Sequence, residues 1–308
     1  MDVASDSQMI LGVKKMRETI MSIIGYIIPI TIALLTFSQG LGISPAEVLR
    51  IFRERPGAMI KSLIACIVLV PAAALAIILV LNPTPAVAIG LAILVSGPPA
   101  PMMLKSAINK GKGSGPYMAS MHLMFAALAV LTVPAVLYVI SQPLGFHAYV
   151  DLGNLVWTLS RTILIPVTLG LVLRGLAPDI ADKILPILGK VSMIGLLITL
   201  LVVLIVLVPT LFTMSPYSYL VIACVSITAL AIGHLLGPND PHEKTALGVE
   251  TGTRHPALAF AIATMSFSKA EALPVMGPCI LTFIVIATIY MTIRGKQIAG
   301  AGPTTLLQ

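Results

Sequence analysis

A short stretch in the last quarter of the chain places an acid, a guanidinium and an imidazole close together. It reads GVETGTRHPALAF and contains Glu250, Arg254 and His255, with Pro256 directly after them. A carboxylate can bind a cation or exchange protons with an imidazole, and a guanidinium can hold a carboxylate through two parallel hydrogen bonds. Long apolar runs flank the stretch on both sides. Because ionisable residues inside such runs are costly to bury, we interpret them as a functional site.

The composition predicts the elements that must position these residues. Of the 308 residues, 57% are hydrophobic and only 10% are charged, and the mean hydropathy is +1.02. A soluble domain is about 25% charged, so these residues cannot cover a water-facing surface of this size. The apolar runs have the length of spanning helices, which predicts an all-α polytopic membrane protein surrounded by the lipid bilayer. No run of Lys and Arg is interleaved with aromatic residues, so no nucleic acid is expected as a partner.

Hydropathy over a spanning length of about 20 residues predicts nine membrane spans. The connections after the odd-numbered spans carry nearly all the connecting Lys and Arg residues, which predicts a cytoplasmic C-terminus and an N-terminus outside. Lys14, Lys15 and Arg17 argue against that outside N-terminus. We expect one transmembrane domain over 20–294 in the plasma (inner) membrane, with tails at 1–19 and 295–308. The spans cover roughly 20–41, 57–81, 84–109, 116–140, 152–175, 186–209, 216–236, 244–266 and 272–294.

Glycine and proline interrupt two of the predicted spans, the third and the eighth. Proline removes a backbone donor and clashes with the preceding turn, so both helices should break and expose N–H and C=O groups that bind ligands. The breaks lie five spans apart, which suggests two inverted repeats, about 20–142 and 152–294, with a binding site at the breaks. The alternative is that the prolines only kink the helices. The interrupting residues are Gly97, Pro98, Pro99 and Pro101 in the third span, and Gly252 and Pro256 in the eighth.

The order of several motifs resembles the bile acid:sodium symporter family over roughly residues 20–294. TFSQGLGIS is followed by RIFRERPGA, by the mid-span proline of CIVLVPAAAL, by the first break, by KGKG and by the second break. The resemblance implies two broken helices that cross within a core domain, which moves against a panel domain. It also implies sodium-coupled uptake of organic anions such as bile acids, pantoate or keto acids. Some members of the family have nine spans, as predicted here.

The residues that bind sodium in this family are largely replaced. The family's Ser-Asn pair at the first break falls on Met102 and Met103, and thioethers are poor ligands for a hard cation. Of two hydroxyls in the following span, only Ser120 remains. At the second break the family's acid is retained as Glu250, whereas its sodium-binding glutamine is replaced by Arg254. The resemblance therefore leaves Glu250 and Ser120 as the candidate ligands of a Na⁺ ion.

We interpret Arg254 as a built-in cation. It follows Glu250 by four residues, a spacing that places two side chains on one helix face, so it can neutralise Glu250 and donate to exposed carbonyls. It would also repel a nearby Na⁺. Two-sodium coupling would then be lost, Arg254 and Lys105 would attract an anion, and His255 could exchange protons with Glu250. No cofactor is expected, and the coupling ion is left open as Na⁺ or H⁺. The predicted binding residues are completed by Thr251 and Thr253.

Simpler interpretations of the same residues stay open. Glu250 and Arg254 can form a purely structural ion pair. Lys105 can extend along the membrane towards the cytoplasm, with no role in binding. His255 can cap the helix break, and the two methionines can be packing residues.

The sequence favours a secondary transporter of a small organic anion that works by alternating access. A fully sodium-coupled symporter is the first alternative, and a channel or sensor and an intramembrane enzyme are less favoured. No HExxH or GxSxG motif supports an enzyme, and no span shows the polar stripe of a channel. The chain can be a monomer or a homodimer.

Overall fold

The computed structural model describes residues 27, 29–46, 53–100, 103–146, 151–266 and 273–300, with the backbone alone at 199–200, 202–209 and 265–266. All regular structure in these segments is helical. In chain order the helices are α1 (Pro29–Gly42), α2 (Pro56–Leu81), α3 (Pro85–Ser96), α4 (Met103–Asn109), α5 (Gly115–Leu144), α6 (Leu152–Leu176), α7 (Pro178–Thr213), α8 (Pro216–Leu236), α9 (Pro241–Gly252), α10 (Pro256–Ser266) and α11 (Leu273–Gly300).

The prediction of an all-α polytopic membrane protein is confirmed. Five helices (α2, α5, α6, α8 and α11) are long and apolar enough to cross a bilayer, and α1 and α3 are shorter apolar helices. The predicted span 216–236 coincides with α8, and the span 57–81 differs from α2 by one residue at its start. The predicted orientation, tails and inverted repeats stay predictions.

Proline accounts for where many of the helices begin. It stands at the first position of α2, α3, α7, α8, α9 and α10. Its fixed φ suits the first turn of a helix, and its missing N–H would have no partner there. Side-chain caps mark other starts: Asp151 accepts from the Asn154 N–H before α6, and Ser215 accepts from the Ser218 N–H before α8.

Prolines inside two spans are absorbed without a break. A π-helical turn over Ile64–Leu69 precedes Pro71 in α2, and another over Ser160–Leu164 precedes Pro166 in α6. A wider turn accommodates the hydrogen bond that proline cannot make, so the helix continues. Each π-helical turn buries a small or polar side chain in the core, Cys66 in α2 and Thr162 in α6.

The helices pack in two groups, which contact each other where α5 lies on α6 and where α7 lies on α11. α1 packs on α6 and α7: Gly40 and Gly170 approach so closely that a side chain on either would meet the backbone of the other helix, and Thr36 Oγ1 donates to the Thr162 carbonyl at 2.9 Å. Small residues permit such close crossings in a bilayer. The second group contains α2, α3, α5, α8, α9 and α11. In it, α8 and α9 cross closely at Gly233 and Gly248.

The first half of the second broken span is anchored at its start. Asp240 caps α9 by accepting from the N–H groups of His242 and Glu243, at 2.8 and 2.9 Å. Glu243 forms an ion pair with Arg55, which directly precedes α2. The Ser114 N–H, just before α5, donates to the His242 carbonyl at 3.1 Å. These contacts fix α9 against α2 and α5 and so determine where its other end points.

Candidate functional site

The two predicted helix breaks are confirmed, and they lie against each other. In the third predicted span the helix ends at Ser96 and a new helix has begun by Met103. In the eighth predicted span the helix ends at Gly252 and a new helix begins at Pro256. The backbone N–H of His255 donates to the Pro98 carbonyl at 2.9 Å. Pro101 and Met102, which were predicted to belong to the first break, lie outside the described residues.

A second contact joins the breaks through a side chain. Arg254 Nη1 donates to the carbonyl oxygen of Gly97 at 3.0 Å. The first break can offer carbonyls but few donors, because proline has no backbone N–H. Arg254 was predicted to donate to exposed carbonyls, and the bond to Gly97 is one such contact.

The local geometry of the second break follows from its residues. Thr253 is extended, at φ −125° and ψ 144°, and its hydroxyl donates to the Val249 carbonyl at 2.8 Å, which satisfies one of the free carbonyls at the end of α9. His255 Nδ1 accepts from the Leu258 N–H at 3.3 Å. Together with Pro256 at the first helical position, this caps α10. Of the two interpretations of His255, the structure supports the cap.

The predicted pairing of Glu250 with Arg254 is wrong. The prediction assumed a helix that continues through both residues, but α9 ends at Gly252 and Thr253 is extended. The four-residue spacing therefore does not place the two side chains on one face. Glu250 Oε1 instead lies 2.8 Å from Nδ1 of His122.

His122 was missed by the sequence analysis. It lies in α5, which the hydropathy reading treated as an ordinary span, and its side chain is 6% exposed. Nδ1 also faces the Met118 carbonyl at 3.2 Å, one turn earlier in the same helix. An ionisable residue within a predicted span is by default a candidate site residue, and that rule would have found it.

The place where the two helix breaks meet is called the crossing below. Its charged groups are buried and incompletely paired. Glu250 is 0% exposed, Arg254 5% and His255 3%. Within the described residues, Nε and Nη2 of Arg254 have no hydrogen-bond partner, and the contact between Glu250 and His122 is short but not aligned as a hydrogen bond. Buried polar atoms are nearly always satisfied, so these atoms require a partner that the described residues do not supply, such as a water molecule, an ion or a ligand.

Two small crevices meet at Arg254. One lies among Met103, Phe283 and Ile280, and the other includes Cys66 and Thr132. Each is about large enough for one water molecule. Within the described residues neither crevice is large enough for an organic anion, so binding one at either place would require that crevice to open.

The remaining predicted binding residues are distributed unevenly around the crossing. Met103 is buried and lines the first crevice, where it packs as predicted for a core methionine. The Ser120 hydroxyl donates to the Pro116 carbonyl at 2.9 Å, and the Thr251 hydroxyl faces the Leu247 carbonyl at 3.0 Å. Lys105 is exposed on α4 and lines neither crevice. The structure therefore does not bring Lys105 together with Arg254.

The spanning helices and the paired breaks define a membrane protein with the architecture of a transporter. Residues 29–214 match the model of the sodium bile acid symporter family, which is more than half of the chain, and the protein belongs to that family. No curated protein matched the chain. The matched segment includes the first break and ends before α8, so Glu250 and Arg254 lie beyond it. Family membership identifies a membrane transport protein and assigns no role to these two residues.

Proposed function

We propose that the protein is a secondary transporter of a small organic anion, and that Arg254 binds the carboxylate of its substrate. The observation that carries this proposal is the guanidinium at the meeting point of the two helix breaks. It is 5% exposed, Nη1 is held by the Gly97 carbonyl, and it borders both crevices. A buried cation at this depth is costly unless it serves a ligand.

The geometry of Arg254 suits a carboxylate. Nη1 is engaged by Gly97, which leaves Nε and Nη2 as the two donors along one edge of the guanidinium. Two parallel N–H groups on one edge match the two oxygens of a carboxylate. The single bond to Gly97 thus orients the side chain and leaves its bidentate edge available. Opening of one crevice at a time would expose that edge to the two sides of the membrane in turn.

The same contact supports a change in ion coupling. Arg254 supplies a positive charge and a donor to the first break, where the family resemblance implies that a sodium ion is bound nearby. A Na⁺ ion close to a guanidinium in a medium of low dielectric constant would be repelled strongly. We therefore infer that uptake does not require two sodium ions. The alternative, a fully sodium-coupled organic anion symporter, would need both sodium positions to remain functional beside Arg254.

A ligand screen followed by uptake measurements tests the proposed function. Purified protein is screened by thermal unfolding against a series of small carboxylates, each in Na⁺ and in K⁺, because a ligand that binds the folded state raises the melting temperature. The carboxylate with the largest effect is then tested for saturable uptake into proteoliposomes. We expect uptake that is similar in the two salts. Sodium dependence with a Hill coefficient of about two would overturn the inference on coupling.

Two variants separate the role of Arg254 in coupling from its role in binding. Arg254→Gln, alone and with Met103→Asn, restores oxygen and nitrogen groups that the family resemblance implies at these positions. We expect both variants to gain some dependence on Na⁺. If both respond to Na⁺ as the parent protein does, Arg254 does not replace an ion.

A further inference from the structure

A second buried contact at the crossing joins α5 to α9. Nδ1 of His122 lies 2.8 Å from Oε1 of Glu250 and 3.2 Å from the Met118 carbonyl. A carbonyl oxygen can only accept, so Nδ1 carries a hydrogen that it directs to Met118, and Oε1 of Glu250 lies beside this N–H without being aligned with it. Glu250 is 0% exposed and His122 is 6% exposed, so no bulk water competes for this carboxylate.

We infer that His122 determines the ion specificity of the site at Glu250, because its imidazole occupies the position from which a cation would coordinate the carboxylate. The inference deepens the proposed function, which concerns Arg254 and the anion, by assigning the second place where a coupling ion could bind. Arg254 donates to the first break and Nδ1 of His122 lies beside Oε1 of Glu250, so the chain itself places a nitrogen against each of these two groups.

The imidazole, and not a lack of oxygen atoms, is what excludes the cation. A hard cation requires several oxygen ligands around it, with those of Glu250 among them. The hydroxyls of Ser120 on α5 and Thr251 on α9 donate to carbonyls of their own helices and keep their lone pairs for an ion. With His122 in place, however, Nδ1 of the imidazole lies at contact distance from Oε1 of Glu250. The site therefore does not fit Na⁺ at this oxygen until the imidazole is removed.

A purely structural role for His122 gives a different expectation. A histidine that only neutralises Glu250 would contribute to stability, and its replacement would destabilise the protein equally in every salt. A histidine that excludes an ion would also destabilise on replacement, but the variant would then respond to Na⁺ and not to K⁺. The response to the cation separates the two roles.

The test measures thermal unfolding of the purified full-length protein in detergent, with NaCl or KCl at matched ionic strength and with no organic anion present. We expect the parent protein to show the same melting temperature in both salts. His122→Ser removes the imidazole and adds a hydroxyl oxygen, and we expect its melting temperature to rise with Na⁺ concentration and not with K⁺. The gain should disappear in His122→Ser combined with Glu250→Gln, because the carboxylate is then absent.

Two results would overturn the inference. One is a Na⁺-selective stabilisation of the parent protein that is lost in Glu250→Gln, which would show that the ion binds with His122 in place. The other is a His122→Ser variant that responds equally to Na⁺ and K⁺. If His122→Ser does not fold, His122→Asn offers an amide oxygen in a larger side chain and is judged by the same two criteria. Because no organic anion is present, these outcomes are independent of whether Arg254 binds a carboxylate.

Discussion

The first helix break offers acceptors to its neighbour, whereas the second offers donors. The Gly97 carbonyl accepts a hydrogen bond from the guanidinium of Arg254. The Pro98 carbonyl accepts one from the backbone N–H of His255. The difference originates in the sequence, because consecutive prolines remove donors from the first break, while the second keeps its backbone N–H groups and adds charge. Neither break is satisfied alone.

This complementarity explains how irregular backbone persists at membrane depth. Free carbonyls and N–H groups are tolerated there only where protein or a water-filled cavity satisfies them. Here each break supplies hydrogen-bond partners that water would otherwise supply to the other. The two breaks therefore cannot separate without exposing polar groups. We therefore expect the two breaks to move as one unit when the crevices open. We also expect substitutions in the second break, the donor side, to change uptake and stability more than substitutions in the first break, the acceptor side.

The largest effect is expected from removing the charge on the donor side. In Arg254→Met, the apolar side chain has a similar length but no donors, and the substrate carboxylate loses a bidentate partner worth about 1.5–3 kcal/mol, or roughly 10- to 100-fold in uptake. The variant also leaves the buried Gly97 carbonyl without its donor, which costs about 1–3 kcal/mol of stability. We expect proteoliposome uptake of the selected carboxylate to fall, and the melting temperature to fall by no more than that cost implies.

A matched variant distinguishes charge from geometry at this position. Arg254→Lys keeps the positive charge but has no planar edge, so we expect uptake between that of the parent and that of Arg254→Met. Full uptake by Arg254→Met would contradict the proposed role of the guanidinium. A collapse of its melting temperature would show instead that Arg254 is chiefly structural.

The two glycines at the breaks should differ in what they tolerate. A side chain at Gly252 would clash with Leu230 of α8, whereas a methyl group at Gly97 would lie 3.4 Å from the nearest atom, the Leu94 carbonyl oxygen. Gly97 is extended, at φ −71°, a conformation open to any residue. We expect Gly252→Ala to lose about 1–3 kcal/mol of stability by overpacking, and Gly97→Ala to change it by about 0.5 kcal/mol at most.

Thermal or denaturant unfolding in detergent measures both glycine variants. Adding Leu230→Ala to Gly252→Ala removes the side-chain atoms that clash. The two substitutions should therefore be less than additive, since residues in contact couple. Equal losses for the two glycine variants would show that the close packing at Gly252 is not particular to the second break.

A smaller effect is expected from the cap of α10. His255→Ala removes the Nδ1 acceptor from the Leu258 N–H, which should cost about 1 kcal/mol, as for other helix caps. His255→Asn supplies another short acceptor and should retain most of the stability. Comparison of the melting temperatures of the two variants measures the cap. If His255→Asn is as unstable as His255→Ala, the ring contributes through packing, and the cap is unimportant.

The sequence predicted the breaks but not how they pair. Gly97, Pro98 and Pro256 act locally, through missing donors and missing side chains, so their effect is visible in a short segment. The partners of Glu250 and Arg254 depend on where four helices cross. The assumption of one continuous helix placed Glu250 beside Arg254, and the end of α9 at Gly252 removed that contact. His122 comes from a span more than a hundred residues earlier, and nothing near Glu250 in the sequence indicates it.

The smallest effect is expected on the acceptor side, at Lys105, which the sequence analysis proposed as a partner of Arg254 in attracting the anion. Lys105 is exposed on α4 and lines neither crevice, and the predicted orientation places it near the cytoplasmic end of its span, where we expect its charge to be hydrated. Screening by solvent and ions weakens the attraction of such a charge for an anion. Lys105→Gln should therefore leave the uptake of the selected carboxylate within about twofold of the parent, since an exposed charge contributes well under 1 kcal/mol. A loss comparable to that of Arg254→Met would mean that the anion passes α4, and that both breaks contribute charge to its path.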